Sequence, residues 1–378
     1  LALAHNGNLS NGLMFDTKTY NGDPLTTAYA ETRQRWEPLY EVTQQKGDGE
    51  AHPTVSPNDE FADFENIDAG NISGKVAKTP EMLPKEYARP ALMEGLRLEQ
   101  ALGVNPFKFG MVGSTDNHTA LPTSREENNF SKASYVEPSP DRALHYLIKG
   151  AKPELSMLER DVGASGLAAV WARENTRESL WDAMKRRETY ATTGTRLLVR
   201  VFAGWDFEAN EVQRPDFARE GYARGVPMGG DLTAAPAGKA PTFMVRALRD
   251  ADGANLDRIQ VVKGWLDAGG EVHERIYDVA CADDRAIADR RCDGLVGNTV
   301  DVADASYTNA IGDPLLAAHW VDPDFDPEQR AFYYVRVIEI PTPRWTAYDA
   351  KFFGTEMPED TVMQLQDRAY TSPIWYTP

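Results

Sequence analysis

Apolar positions along this chain come in two textures. Through the first half they form short runs, each ending on residues that can do chemistry. Leu1-Ala2-Leu3-Ala4 runs into His5-Asn6-Gly7-Asn8, Leu39-Tyr40-Glu41-Val42-Thr43 carries Glu41 within it, and Phe107 to Val112 leads into Gly113-Ser114-Thr115-Asp116-Asn117-His118. Such runs, bounded by glycine, proline or asparagine, read as buried strands that end in loops. Between them the period lengthens. From Tyr87 to Gly103, Ala91, Leu92, Leu96, Leu98 and Leu102 form one stripe with Gly103 as the stop, which predicts an amphipathic helix. Thr26 to Trp36 predicts a shorter helix with Arg33 and Arg35 where the helix dipole favours them. Further helices are expected near Asp141 to Lys149 and, capped by Asn175-Thr176, over Glu178 to Arg187. Gly163 to Trp171 reads as a glycine-hinged strand, and residues 53–85, punctuated by Pro53, Pro57, Pro80 and Pro84, as an irregular excursion.

From Leu197 onward the runs turn β-rich and partly alternating: Leu197–Ala203, Thr242–Ala247, Leu256–Gly264, Val272–Val279 and Ala331–Glu339. This predicts an antiparallel sandwich. The expected class is therefore α/β, with part of a β/α barrel in residues 1–196 and a β-rich, sandwich-like domain in 197–378. Trp345 and Ile374-Trp375-Tyr376 are expected to anchor core or interface.

The chemistry gathers on the strand ends. Asp116 and His118 lie two apart, so on an extended segment both point the same way, as metal ligands or an acid/base pair do; a helix cap or Asx-turn uses the same residues. Short strands that each deliver a His, Asp or Glu build a site at one face of a barrel. Taken together, Ala4 to Gly12, Glu41 to Glu50 and Gly113 to His118 resemble an uncharacterised bacterial family that looks like a branch of the PHP (polymerase and histidinol phosphatase) metallohydrolase superfamily, near its carbaryl-hydrolase-like members. The resemblance implies a distorted PHP barrel in which His5, Asp116 and His118 bind metal and Glu41 joins them. The family's opening H-x-H strand and the Asp-His motif after it do not occur here; His52, His145, His273 and His319 lack that context. The chain therefore reads as the C-terminal part of such a barrel, the remaining ligands lying on another segment or chain.

If those ligands hold one or more divalent ions, mixed His and carboxylate donors suit zinc, manganese or iron. The bound water would attack a small-molecule ester, a phosphoester by the resemblance. Glu41 or Glu50 would bridge metals or act as general base, Lys46 would neutralise charge, Asn6 and Asn8 would orient His5 or meet substrate, and Arg125 would contact an anionic group. His52 is a second-rank candidate. A reading of another class is a secreted binding protein with a structural ion and a glycan- or partner-binding β domain.

Composition narrows the partners. The 378 residues hold 58 acidic against 40 basic side chains, a formal charge of −18, which repels nucleic acid and anionic membranes. No apolar run reaches the roughly 18 residues that a membrane span needs. Cys281 and Cys292 flank an acidic loop; a disulfide there implies a periplasmic or secreted protein, and two free thiols are the alternative.

Overall fold

The computed structural model describes residues 1–378 and stacks its sheets in three layers. The first is small. Leu3–Ala4, Leu39–Gln44 and Gly110–Gly113 pair in parallel with Leu39–Gln44 in the middle, and Gly47–Asp48 folds back antiparallel onto its end. All six residues of the middle strand are buried, as expected for a parallel strand covered on both faces.

The second layer is an eight-stranded sheet. It runs from Val272–Cys281 through Leu256–Leu266 to Ala331–Glu339, then Arg368–Thr371 with Ile374–Thr377 beyond it along the same edge, then Thr189–Thr192 and Leu167–Val170. Asp231–Thr233 adds a parallel edge to Ile374–Thr377. The sheet thus draws strands from both sides of residue 196. The third layer, Gly225–Pro227, Leu198–Gly204, Thr242–Leu248 and Leu315–Val321, is antiparallel throughout.

Alternation decides which residues face which layer. Val199, Val201, Val245 and Ala247 meet Ile259, Val261, Val335 and Val337 in one core. The alternate residues of the same central strands, Val262, Phe332 and Tyr334, pack the other way onto Tyr40, Val42, Met111 and the helix residues Ala88, Leu92 and Leu96. Ala331–Glu339 is consequently buried along all nine residues.

The architecture is mixed α/β, rich in sheet, with few helices and no closed barrel. In the first sheet parallel pairing stops at three strands. Beside Gly110–Gly113 stands Thr189–Thr192, and hydroxyl groups replace the ladder there: Met111 N–H donates to Ser372 Oγ at 2.9 Å, and Thr189 Oγ1 donates to Met111 O at 3.0 Å. The central helix spans Ala88–Leu102 and ends at Gly103, whose φ of 77° is the left-handed stop that glycine accepts most readily. Thr26 caps Thr27–Trp36, and Thr176 caps Arg177–Lys185. The stretch expected as helix near Asp141 to Lys149 is instead one 3₁₀ turn, Arg142–Leu144, followed by the strand Tyr146–Ile148. Arg142 explains the change: its buried guanidinium binds Asp349 and the carbonyls of Asn129 and Phe130, so tertiary contacts override local propensity. Trp345 and Trp375 are buried anchors, as expected, and Cys281 and Cys292 form a disulfide.

Candidate functional site at the parallel strand ends

The three parallel strands run the same way, so their C-terminal ends lie side by side and the residues just beyond them converge. Asn6 follows the first strand at φ 58° and Asp116 the third at φ 48°. Both adopt the left-handed turn that Asn and Asp tolerate better than most residues. The turn redirects the chain immediately after the sheet.

His5 and Glu41 approach first, with His5 Nδ1 3.9 Å from Glu41 Oε2. Glu41 is buried, and both its oxygens are engaged, Oε1 by the Ser114 hydroxyl and Oε2 by Gln44 Nε2 at 2.8 Å. The same Gln44 amide donates to Asn6 Oδ1 at 3.0 Å, and Asn6 Nδ2 donates to His5 Nδ1 at 2.7 Å. Asn6 therefore orients His5. Asn8 does something else: buried, it donates to the Lys46 carbonyl at 2.9 Å and shapes the turn that carries Lys46.

Asp116 is the hub. Its Oδ1 lies 3.1 Å from His118 Nε2, and its Oδ2 binds Lys46 Nζ. Lys132 Nζ sits 3.1 Å from that same oxygen without a hydrogen-bonding angle. The backbone brings Lys132 there: His118 N–H donates to Lys132 O at 2.9 Å, and Glu159 Oε1 accepts the Lys132 N–H at 2.9 Å. Burial, and next the charge of Lys132, pushes the Lys46 ammonium down to about 7. Burial pushes Lys132 down to about 8. Lys132, then burial, then Lys46 hold the His118 imidazolium below its usual range.

Three expected candidates lie elsewhere. Glu50 is sealed from solvent, with Arg89, Arg336 and the Tyr334 hydroxyl on its oxygens, so a general base at Glu50 has no access to substrate. Arg125 stands at the surface, pairing with Glu127 at 3.3 Å and Asp252 at 2.9 Å. His52 pairs with Asp68 at 3.1 Å. Lys132 carries no sequence signal, because a lone lysine in a polar insertion has no period or spacing to betray it.

The donor set suits a divalent ion in kind: two half-exposed imidazoles, His5 and His118, and two carboxylates, Glu41 and Asp116. His5, Glu41, Asp116 and His118 would hold it. The only three His, Cys, Asp or Glu donors already within 4.8 Å of one another are Asp278, Cys281 and Cys292, whose sulfurs are bonded to each other. A cavity of about 650 Å³ lies apart from the strand ends, between Phe61, Phe64, Arg344 and Arg368.

A family model described as a protein of unknown function (DUF3604) matches residues 1–378. The chain belongs to the DUF3604 family. No curated protein matches this DUF3604 chain, and no helix in it is long and apolar enough to cross a membrane.

Proposed function

We propose that this DUF3604 chain is a metal-dependent hydrolase of phosphoesters, resembling a distorted PHP barrel built around its three parallel strands. One observation carries the reading. His5 and the Asp116–His118 pair, more than a hundred residues apart, follow the same ends of two strands, and Glu41 lies within the strand between them. His5, Asp116 and His118 would hold a zinc, manganese or iron ion. That ion would supply an activated water and polarise the ester oxygen. Glu41, fixed by Ser114 and Gln44 beside His5, would bridge or orient the metal site, and Lys46 would neutralise an anionic oxygen on the substrate or leaving group. The disulfide suits an oxidising compartment, so the proposed location is periplasmic or secreted.

A second reading has an observation in its favour. Asp116 is already neutralised by an ammonium group, which suits a binding protein with a structural site and a β domain that recognises glycan or partner. Metal analysis of the protein and of an Asp116→Ala/His118→Ala variant, with both assayed on a phosphodiester and a carboxyl ester, separates the two. The hydrolase reading expects stoichiometric transition metal and phosphodiesterase activity, both lost in the variant. Equal metal content in the two proteins overturns it.

A further inference from the structure

Strand alternation gives the third sheet two unlike faces. Val199, Val201, Val245 and Ala247 point into the core shared with the central sheet, so Leu198, Arg200 and Phe202 on one strand and Met244, Arg246 and Leu248 on the next point outward. The register sets them in rows across the sheet. Phe202 and Met244 are covered by the 3₁₀ turn Ala209–Gln213 and the helix Phe217–Arg224. The cover stops there. Arg200 stands directly opposite Arg246, and Leu198, Leu248 and Leu315 form the row beyond, each between 43 and 47 % exposed. Trp171, Pro215 and Phe217 wall the open cleft of about 290 Å³ that these two rows line.

Like charges directly opposite on neighbouring strands repel, and neither guanidinium meets a carboxylate. Arg200 Nη2 donates at 2.8 Å to the Tyr222 hydroxyl, which itself donates to Glu188 and so stands between the two charges. Arg246 donates to the carbonyls of Val212 and Arg214. Burial holds Arg246 below its usual range, and no acid offsets it. Aromatic rings position both: Arg200 lies 4.2 Å from the Trp171 ring centre and Arg246 4.6 Å from that of Phe217. Stacking engages the face of a guanidinium and leaves its edge donors free for an anion. In both arginines Nη1 donates to no group of the protein. The chain has 58 acidic side chains against 40 basic ones, so two adjoining cations left without a counter-charge point to one that arrives from outside.

The two rows together select the ligand. Three leucines in one cross-strand row make a contiguous apolar strip, unlike leucines scattered singly, and an inorganic anion would gain nothing from it. A molecule with one anionic head and an apolar body uses both rows. At about 290 Å³ the cleft is at the small end of ligand pockets, so that body is short. We propose that this cleft binds a small carboxylate amphiphile, with Arg200 and Arg246 on the carboxylate and Leu198, Leu248 and Leu315 under the apolar chain. The site lies on the outer face of the third layer, separate from Asp116, and stands whether or not the chain hydrolyses esters.

Titration calorimetry of the whole chain with sodium octanoate tests this, with octan-1-ol, octylammonium and acetate as comparisons. One saturable octanoate site is expected, with each comparison compound at least about tenfold weaker. Arg200→Gln removes a counter-charge, and Leu315→Glu sets a carboxylate at the end of the leucine row; each should weaken octanoate about tenfold or more. Leu315 opens an edge strand and is half exposed, so Leu315→Glu should melt at the wild-type temperature, which separates lost binding from lost folding. No saturable octanoate binding, equal binding of octanol, octylammonium or acetate, or octanoate binding unchanged in either variant would overturn the proposal. So would a dimer, seen by sedimentation, that Leu315→Glu abolishes and octanoate does not, because the leucine row would then join two copies of the chain.

Discussion

The network of Glu50, Asp59, Arg89 and Arg336 and the cluster of Lys46, Asp116 and Lys132 hold the same kinds of charge and differ in how fully they are paired. In the first, two arginines meet two carboxylates, with Arg336 Nη2 2.6 Å from Asp59 Oδ1 and Arg89 Nη2 2.7 Å from Asp59 Oδ2. Tyr334 and Gln260 take further donors and acceptors. Both arginines are completely buried. The network ties the helix Ala88–Leu102 and the loop after Glu50 to the central sheet. In the second, two lysines share one oxygen of one carboxylate, and two imidazoles beside them stay half open to solvent. A sealed network in which each carboxylate meets two arginines serves cohesion; an under-paired cluster beside open imidazoles keeps groups available for a ligand.

The contrast breaks most visibly at Arg336. Arg336→Met strips Glu50 and Asp59 of a counter-charge inside the core and is expected to cost about 3–5 kcal/mol in denaturant unfolding at neutral pH. A loss below about 1 kcal/mol would show that the network does not hold the layers together.

Two carboxylates on either side of Gly49 sharpen the comparison through pH. Burial raises Glu50, but Arg89 and Arg336 together outweigh burial and hold it below its usual range. Its stability contribution is present above the ordinary carboxylate range and is lost as the pH falls. Asp48 is the opposite case: burial, and then the charge of Glu50, pushes it up to about 7. Its contribution is full below the ordinary carboxylate range and is lost as the pH rises through about 7. Asp48→Asn should therefore gain about 1–3 kcal/mol over wild type at alkaline pH and little at mildly acidic pH, read from denaturant midpoints across that range. An equal effect at both ends would place the Asp48 proton elsewhere.

The smallest stability change is expected from Lys132→Met. Lys132 is buried with no hydrogen bond on Nζ, and methionine has a similar reach, so the melting transition should move by no more than about 1 kcal/mol, in either direction. Activity on a phosphodiester should fall much further if the cluster meets an anionic substrate. A destabilisation as large as that of Arg336→Met would erase the distinction between the two clusters.

Local rules carried the sequence reading where local structure decides. The stripe ending at Gly103, the caps at Thr26 and Thr176 and the strands around Tyr40 and Met111 were legible because each is a short-range pattern. Asp116 and His118 do come together, but not on the extended segment expected for them: Asp116 lies at φ 48° in a turn beyond the strand, and its Oδ1 meets His118 Nε2 there at 3.1 Å. Glu50 was misread because the side chains that pair with it, Arg89 and Arg336, come from a helix 39 residues on and a strand 286 residues on. Lys132 was invisible for the same reason: a backbone bond to His118, not its own neighbours, puts it beside Asp116. The helix Trp345–Phe353 follows Arg344 with no side-chain cap and a buried first turn, so no periodic signal marked it.

The strand Arg368–Thr371 lies between Thr189–Thr192 and Ala331–Glu339, and Ile374–Thr377 prolongs the same edge. The ribosome makes these residues long after Thr189–Thr192, which until then has no partner on that side. The central sheet therefore closes only after the strand Arg368–Thr371 has been made, by a slow search over distant pairings. Until then Tyr190 and Ala191 present an open strand edge.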